Sequence, residues 1–131
     1  MKNIHVTLTP FLNESRVLKE VNSLLKKGVV TQVVIIAIWK SGLKRSENMG
    51  DKIKVIRVNP YLIYVIKKLM GLNEISFYKL FNALLCCYVF FQKPDIINIH
   101  HVNALSIVRL KRVLRKSVFI YDAHELETET Q

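Results

Sequence analysis

The chain has 131 residues, half of them hydrophobic, which is the size of one domain and enough apolar material for a core; a disordered or low-complexity protein is excluded. Its net charge of +10 favours anionic partners such as nucleotide phosphates, anionic lipid head groups or nucleic acid. Two adjacent cysteines with no CxxC or zinc spacing exclude a disulfide scaffold and a zinc finger.

Asn3–Thr9 reads as a strand rich in β-branched residues, followed by a loop over Thr9-Pro10-Phe11-Leu12. Asn13 is placed to cap a helix, and Glu14 complements the positive end of that helix. Val17, Val21, Leu24 and Leu25 form one apolar stripe, and Gly28 stops the helix. Gln32–Trp39 is a continuous apolar run, the pattern of a strand buried on both faces of a parallel sheet. Lys40–Asp51 is polar and reads as a loop. Lys52–Val58 alternates and reads as a third strand near an edge.

Residues 61–92 predict two helices, 61–70 and 75–92, broken near Gly71-Leu72-Asn73. Packing against the sheet is the first reading of this region; contact with a membrane surface is the alternative. Cys86 and Cys87 lie inside the second helix as small core residues, pointing in different directions. Ile96–His100 predicts a fourth strand. Asn103 is placed to cap a helix from Ala104 to about Arg115, whose other faces carry Arg109, Lys111, Arg112, Arg115 and Lys116. Val118–Tyr121 is a fifth strand.

This alternation of strands and helices implies an α/β fold with a mainly parallel five-stranded sheet and helices on both faces. A ligand crevice then lies beyond the carboxyl ends of the strands, among loops 9–13, 40–51, 100–103 and 122–127. His5 sits inside the first strand and reads as a packed, hydrogen-bonded core histidine. His100, His101 and His124 fall at carboxyl ends, with Asp122, Glu125 and Glu127 beside them. Metal binding and acid/base work are conceivable for this set, but its spacing fits no standard zinc motif. A hydrogen bond from His124 to a sugar or phosphate oxygen is the preferred reading; no metal and no cofactor is expected.

No GxGxxG, GxxxxGK[ST] or GxSxG occurs, which argues against a dinucleotide dehydrogenase, a P-loop NTPase and an α/β hydrolase. The basic residues are scattered and form no helix-turn-helix or RNP pattern, so nucleic acid is not expected as a partner. The amino terminus lacks a signal-peptide layout, and the longest apolar stretch, Ala83–Phe91, is about half of a bilayer span. The expected location is cytoplasmic, with peripheral contact on the inner face of the membrane open.

Three stretches together resemble the N-terminal domain of glycosyltransferase family 4, enzymes of two-domain GT-B architecture. Glu14-Ser15-Arg16-Val17-Leu18-Lys19-Glu20 is similar to the family's Asp-x-Arg-Val-x-x-Glu helix opening. Pro94-Asp95-Ile96-Ile97-Asn98-Ile99-His100-His101 resembles its Pro-Asp-apolar-apolar-His-x-His-Asp, with Asn98 and His101 as departures. Tyr121-Asp122-Ala123-His124-Glu125-Leu126 resembles a third family motif closely.

The resemblance implies a Rossmann-like three-layer sandwich, half of a GT-B fold. It also implies metal-free retaining transfer of a sugar from a nucleotide-sugar donor to a glycan or lipid-linked acceptor, in surface polysaccharide or glycolipid synthesis. His124 then contacts the donor sugar. Pro10, Asn13, Glu14, Arg16, His100, His101, Asn103, Asp122 and Glu125 line the acceptor side, with Arg16, His100 and His124 on one rim. The family's C-terminal donor-binding domain lies outside the sequence, so the chain is expected to be a truncated domain without turnover alone. The rival expectation is a non-catalytic α/β module that binds an anionic ligand or a partner chain.

Overall fold

A computed structural model of the chain describes residues 1–12 and 14–122, with the side chains of Val102, Asn103 and Leu105 outside the description. The strands are β1 (Lys2–Val6), β2 (Gln32–Ile38), β3 (Ser46–Asn48), β4 (Ile53–Val58), β5 (Ile96–Ile99) and β6 (Val118–Tyr121). The α-helices are α1 (Ser15–Lys26), α2 (Tyr61–Met70) and α3 (Phe77–Gln92), and a 3₁₀ helix, η1, spans Val102–Arg112.

The described strands form one sheet in the order β3-β4-β2-β1-β5-β6, parallel except for β3. The chain is therefore α/β, with a layout compatible with a Rossmann-like fold. The expected five strands become six, because the presumed loop 40–51 folds its second half back as β3 against β4. Only the first part of that segment reaches the carboxyl edge, and β4 is second from the edge, near it as expected. Strands and helices consequently do not alternate throughout: β2 leads to β4 through β3, with no helix between.

Val33 to Ala37 of β2 are all buried, as a strand covered on both faces requires. On one face, Val17 and Val21 of α1 pack against Val33, Ile35, Ile53 and Val55. On the other, Ile63 of α2, Phe81, Leu85 and Val89 of α3, and Ile107 of η1 cover Ile4, Val6, Ile36, Ile97 and Ile99. Each buried Val, Leu or Ile contributes about 1.5–3 kcal/mol relative to exposure.

The expected core role of 61–92 therefore belongs to α3, whose Phe81, Leu85 and Val89 recur every four residues. In α2 only Ile63 is buried, while Tyr61, Tyr64, Leu69 and Met70 face solvent. Cys86 is half-buried, but Cys87 is exposed rather than a core residue.

Two capping expectations change. Glu14 occupies the cap position of α1 without a side-chain cap bond, and Asn13 lies outside the described residues. His101 precedes η1, so Asn103 falls inside it and is not its cap. The expected α-helix 104–115 is wound as 3₁₀ instead. Arg109, Lys111, Arg112 and Arg115 put like charges at i+3 and i+4, which withholds the side-chain support an α-helix gains from opposite charges. Among the described residues no helix is long and apolar enough to cross a membrane.

Candidate functional site

The strand order reverses between β1 and β5: the chain builds outward to β2 and β4 on one side, then to β5 and β6 on the other. The carboxyl edge at such a switch point is where an open α/β sheet leaves a crevice. Alternation along β1 turns Asn3, His5 and Thr7 to the α1 face, and the pairing of His5 with Asn98 sets Asn98 and His100 beside them. All five are buried.

Buried polar groups need partners, and these form a directed chain. The Asn3 amide donates to the Asn98 Oδ1 (2.7 Å) and to the Ile96 carbonyl (3.1 Å). Its Oδ1 therefore accepts, and His5 Nε2 donates to it at 2.6 Å. His5 Nδ1 is then the acceptor for His100 Nε2, 2.8 Å away. The two rings are nearly parallel, 15° apart. At the rim, His100 Nδ1 faces the Asp122 carboxylate at 3.7 Å, an ion-pair distance when the imidazole is protonated.

The chain separates the roles of the two histidines. Burial, with His100 adding to it, lowers the His5 pKa to about 3. His5 is thus a neutral internal strut, as its place inside the first strand predicts. A proton added to His100 goes to Nδ1, the nitrogen aimed at Asp122 and the crevice. One Glu20 carboxylate oxygen, carried by α1, lies within 4.8 Å of a ring nitrogen of each histidine.

The loop after β1 is held by Arg57, near the end of β4. Its guanidinium, nearly inaccessible, donates to the carbonyls of Pro10 (2.8 Å), Lys44 (3.0 Å) and Phe11 (3.2 Å), and to Glu47 Oε1 (2.8 Å). Phe11 has φ +54°, in the left-handed region that non-glycine residues rarely occupy. Its ring is buried, and Arg57 grips its carbonyl, so the strained turn is fixed from two sides.

Other expected site residues are distributed around this rim. Burial raises the Glu14 carboxyl above the usual carboxylate range, against the opposing influence of nearby His101. Arg16 lies in the first turn of α1, at the same edge, with its side chain exposed. Pro10 offers its carbonyl to Arg57. His124, Glu125 and Asn13 lie outside the described residues, as does the side chain of Asn103. The shared rim of Arg16, His100 and His124 is thus described for its first two members only.

The sequence reading missed Arg57, Asn3 and Glu20. Arg57 carried a signal: Ile53, Val55 and Arg57 share the buried parity of β4, where a cation demands partners. An apolar pocket of about 220 Å³ lies near the end of β2, lined by Leu8, Ile38, Pro60, Phe77 and Phe81. No protein-family model matches the chain, and a search of curated proteins finds no match.

Proposed function

We propose that the chain is the acceptor-side half of a retaining glycosyltransferase, moving a sugar from a nucleotide-sugar donor to a glycan or lipid-linked acceptor. The observation that carries the reading is the meeting of two of its three motifs at one edge. The Pro-Asp stretch carries His100, the Tyr121-Asp122 stretch closes strand β6 and carries Asp122 just past it, and the side chains of His100 and Asp122 stand 3.7 Å apart. The helix-one motif places Glu14 beside His101 on that edge. Acceptor hydroxyls are then oriented by His100 and Asp122, and the pocket beside β2 receives an apolar part of the acceptor.

Exposed Leu69, Met70, Tyr61 and Tyr64 beside Lys67 and Lys68 support peripheral contact with an anionic membrane carrying a lipid-linked acceptor.

The test is an amide NMR titration of the 131-residue chain with glycan and polyprenyl-phosphate acceptors. Shifts concentrated at residues 9–16, 100–101 and 122 support the reading; an unperturbed rim across the acceptor panel refutes it. A second reading is favoured by the basic side of η1, where Arg109, Lys111 and Arg112 line a cavity of about 740 Å³. A non-catalytic module binding an anionic ligand there would show pyrophosphate-induced shifts at 109–116 and none at the rim.

A further inference from the structure

We infer that His5, His100 and Glu20 form a binding site for one divalent transition ion, with zinc the best fit. The inference does not depend on the glycosyl-transfer reading. Three separate elements, β1, α1 and the end of β5, bring one ligand atom each to within 4.8 Å of the others. Two imidazoles and a carboxylate are a donor set for zinc with a fourth position left to water.

The surroundings are those that metal-binding histidines need. A ligating histidine commonly donates its outer N–H to a fixed acceptor, which sets ring orientation and tautomer. His5 Nε2 donates to Asn3 Oδ1 at 2.6 Å, and Asn3 is itself locked by Asn98 and the Ile96 carbonyl. The outer nitrogen of His100, Nδ1, is turned toward Asp122. The inner nitrogens, His5 Nδ1 and His100 Nε2, face each other at 2.8 Å.

Two nitrogens bound to one tetrahedral ion at about 2.05 Å stand roughly 3.3 Å apart, so the rings need to part by only about half an ångström. The proton on His100 Nε2 moves to Nδ1, toward Asp122, which frees the Nε2 lone pair without changing the number of bound protons. Glu20 and Asp122 together match the two charges of the ion. Access is from the rim, where His100 ends β5.

Zinc titration by calorimetry, with Cys86→Ser and Cys87→Ser to remove competing thiols, tests the inference on the full chain in a non-chelating buffer. One ion per chain is expected, with tetrahedral absorption bands when cobalt replaces zinc. Glu20→Gln and Asp122→Asn lie outside the core and spare the fold. The first should weaken zinc binding at least about tenfold and the second about tenfold, whereas exposed Glu74→Gln should leave it unchanged. Failure to bind zinc at about 100 μM, roughly a thousandfold above the dissociation constants of weak structural zinc sites, or equal affinity in Glu20→Gln, overturns the inference.

Discussion

Replacing Arg57 by methionine removes the side chain that, among the described residues, ties the turn after β1 to β4 and to the segment before β3. The cost follows from its four acceptors. The carbonyls of Pro10, Phe11 and Lys44 each lose a charge-assisted bond with a net value of roughly 1.5 kcal/mol, the low end for bonds to a charged group. Glu47 is 35% exposed and rehydrates once the guanidinium is gone, so its share is below about 1 kcal/mol. Methionine retains most of the packing of the arginine stem. The expected loss is about 3–5 kcal/mol, a large part of the stability of a typical domain. Arg57→Lys keeps the charge but cannot span three carbonyls, and should lose about 2–3 kcal/mol. Urea unfolding followed by circular dichroism gives these values, and amide exchange at residues 9–12 reports whether the turn itself loosens. The reasoning fails if Arg57→Met unfolds within about 1 kcal/mol of the parent, the level of an ordinary surface ion pair. It fails equally if Glu47→Gln costs as much as Arg57→Met, since the carbonyls and not the ion pair would then be secondary.

The folded pKa of His5 near 3 lies below the ordinary 6.5, so the unfolded chain binds the extra proton first on acidification. The neutral-histidine contribution is complete above about pH 6.5 and falls as the pH drops toward 3, with a deficit of about 2 kcal/mol at pH 5; urea midpoints in EDTA should show this slope in the parent and a shallower one in His5→Asn. Thiol titration should give one fast cysteine, the exposed Cys87, and a slow one, because burial and the adjacent Cys87 raise the Cys86 pKa; Cys87→Ser should abolish the fast phase. Leu85→Ala, at a fully buried position in α3, should lose about 2–5 kcal/mol in urea unfolding, whereas Leu69→Ala, 80% exposed on α2, should stay within about 0.5 kcal/mol of the parent.

Much of the fold is legible in the sequence because its signals are local. The apolar run of β2, the stripe of α1 and the four-residue recurrence in α3 each point to the burial they receive. The failures have a common cause, which is that the deciding interaction is not local. Nothing within Ser46–Asn48 announces a strand; its register comes from β4, and Arg57 anchors it through Glu47. Leucines and tyrosines in α2 look like core until the sheet supplies room for only one of its side chains, Ile63. At the site, His100 and Asp122 are legible because carboxyl ends of strands carry chemistry, while Asn3 and Glu20 become visible only when β1, α1 and β5 are assembled.

The row Asn3, His5, Thr7, Asn98 and His100 poses an energetic question for the centre of the sheet. Asn3, His5 and Thr7 flank β2, which is apolar on both faces, Asn98 and His100 lie on the other side of β1, and valine or isoleucine would bury at these positions without any hydrogen-bond requirement. Each polar group instead exchanges water for hydrogen-bond partners inside the protein, a near-neutral exchange that leaves the loss of hydrophobic burial uncompensated. The row nevertheless ends at the crevice, with His100 Nδ1 directed at Asp122. Its direction follows from the Asn3 amide, which forces the proton positions of His5 and then of His100. A core that needed only adhesion has no use for a fixed proton order. The order serves the last ring, whose outward nitrogen is set by residues on the adjacent strand β1. The stability given up inside the sheet is thereby converted into a defined tautomer at its edge.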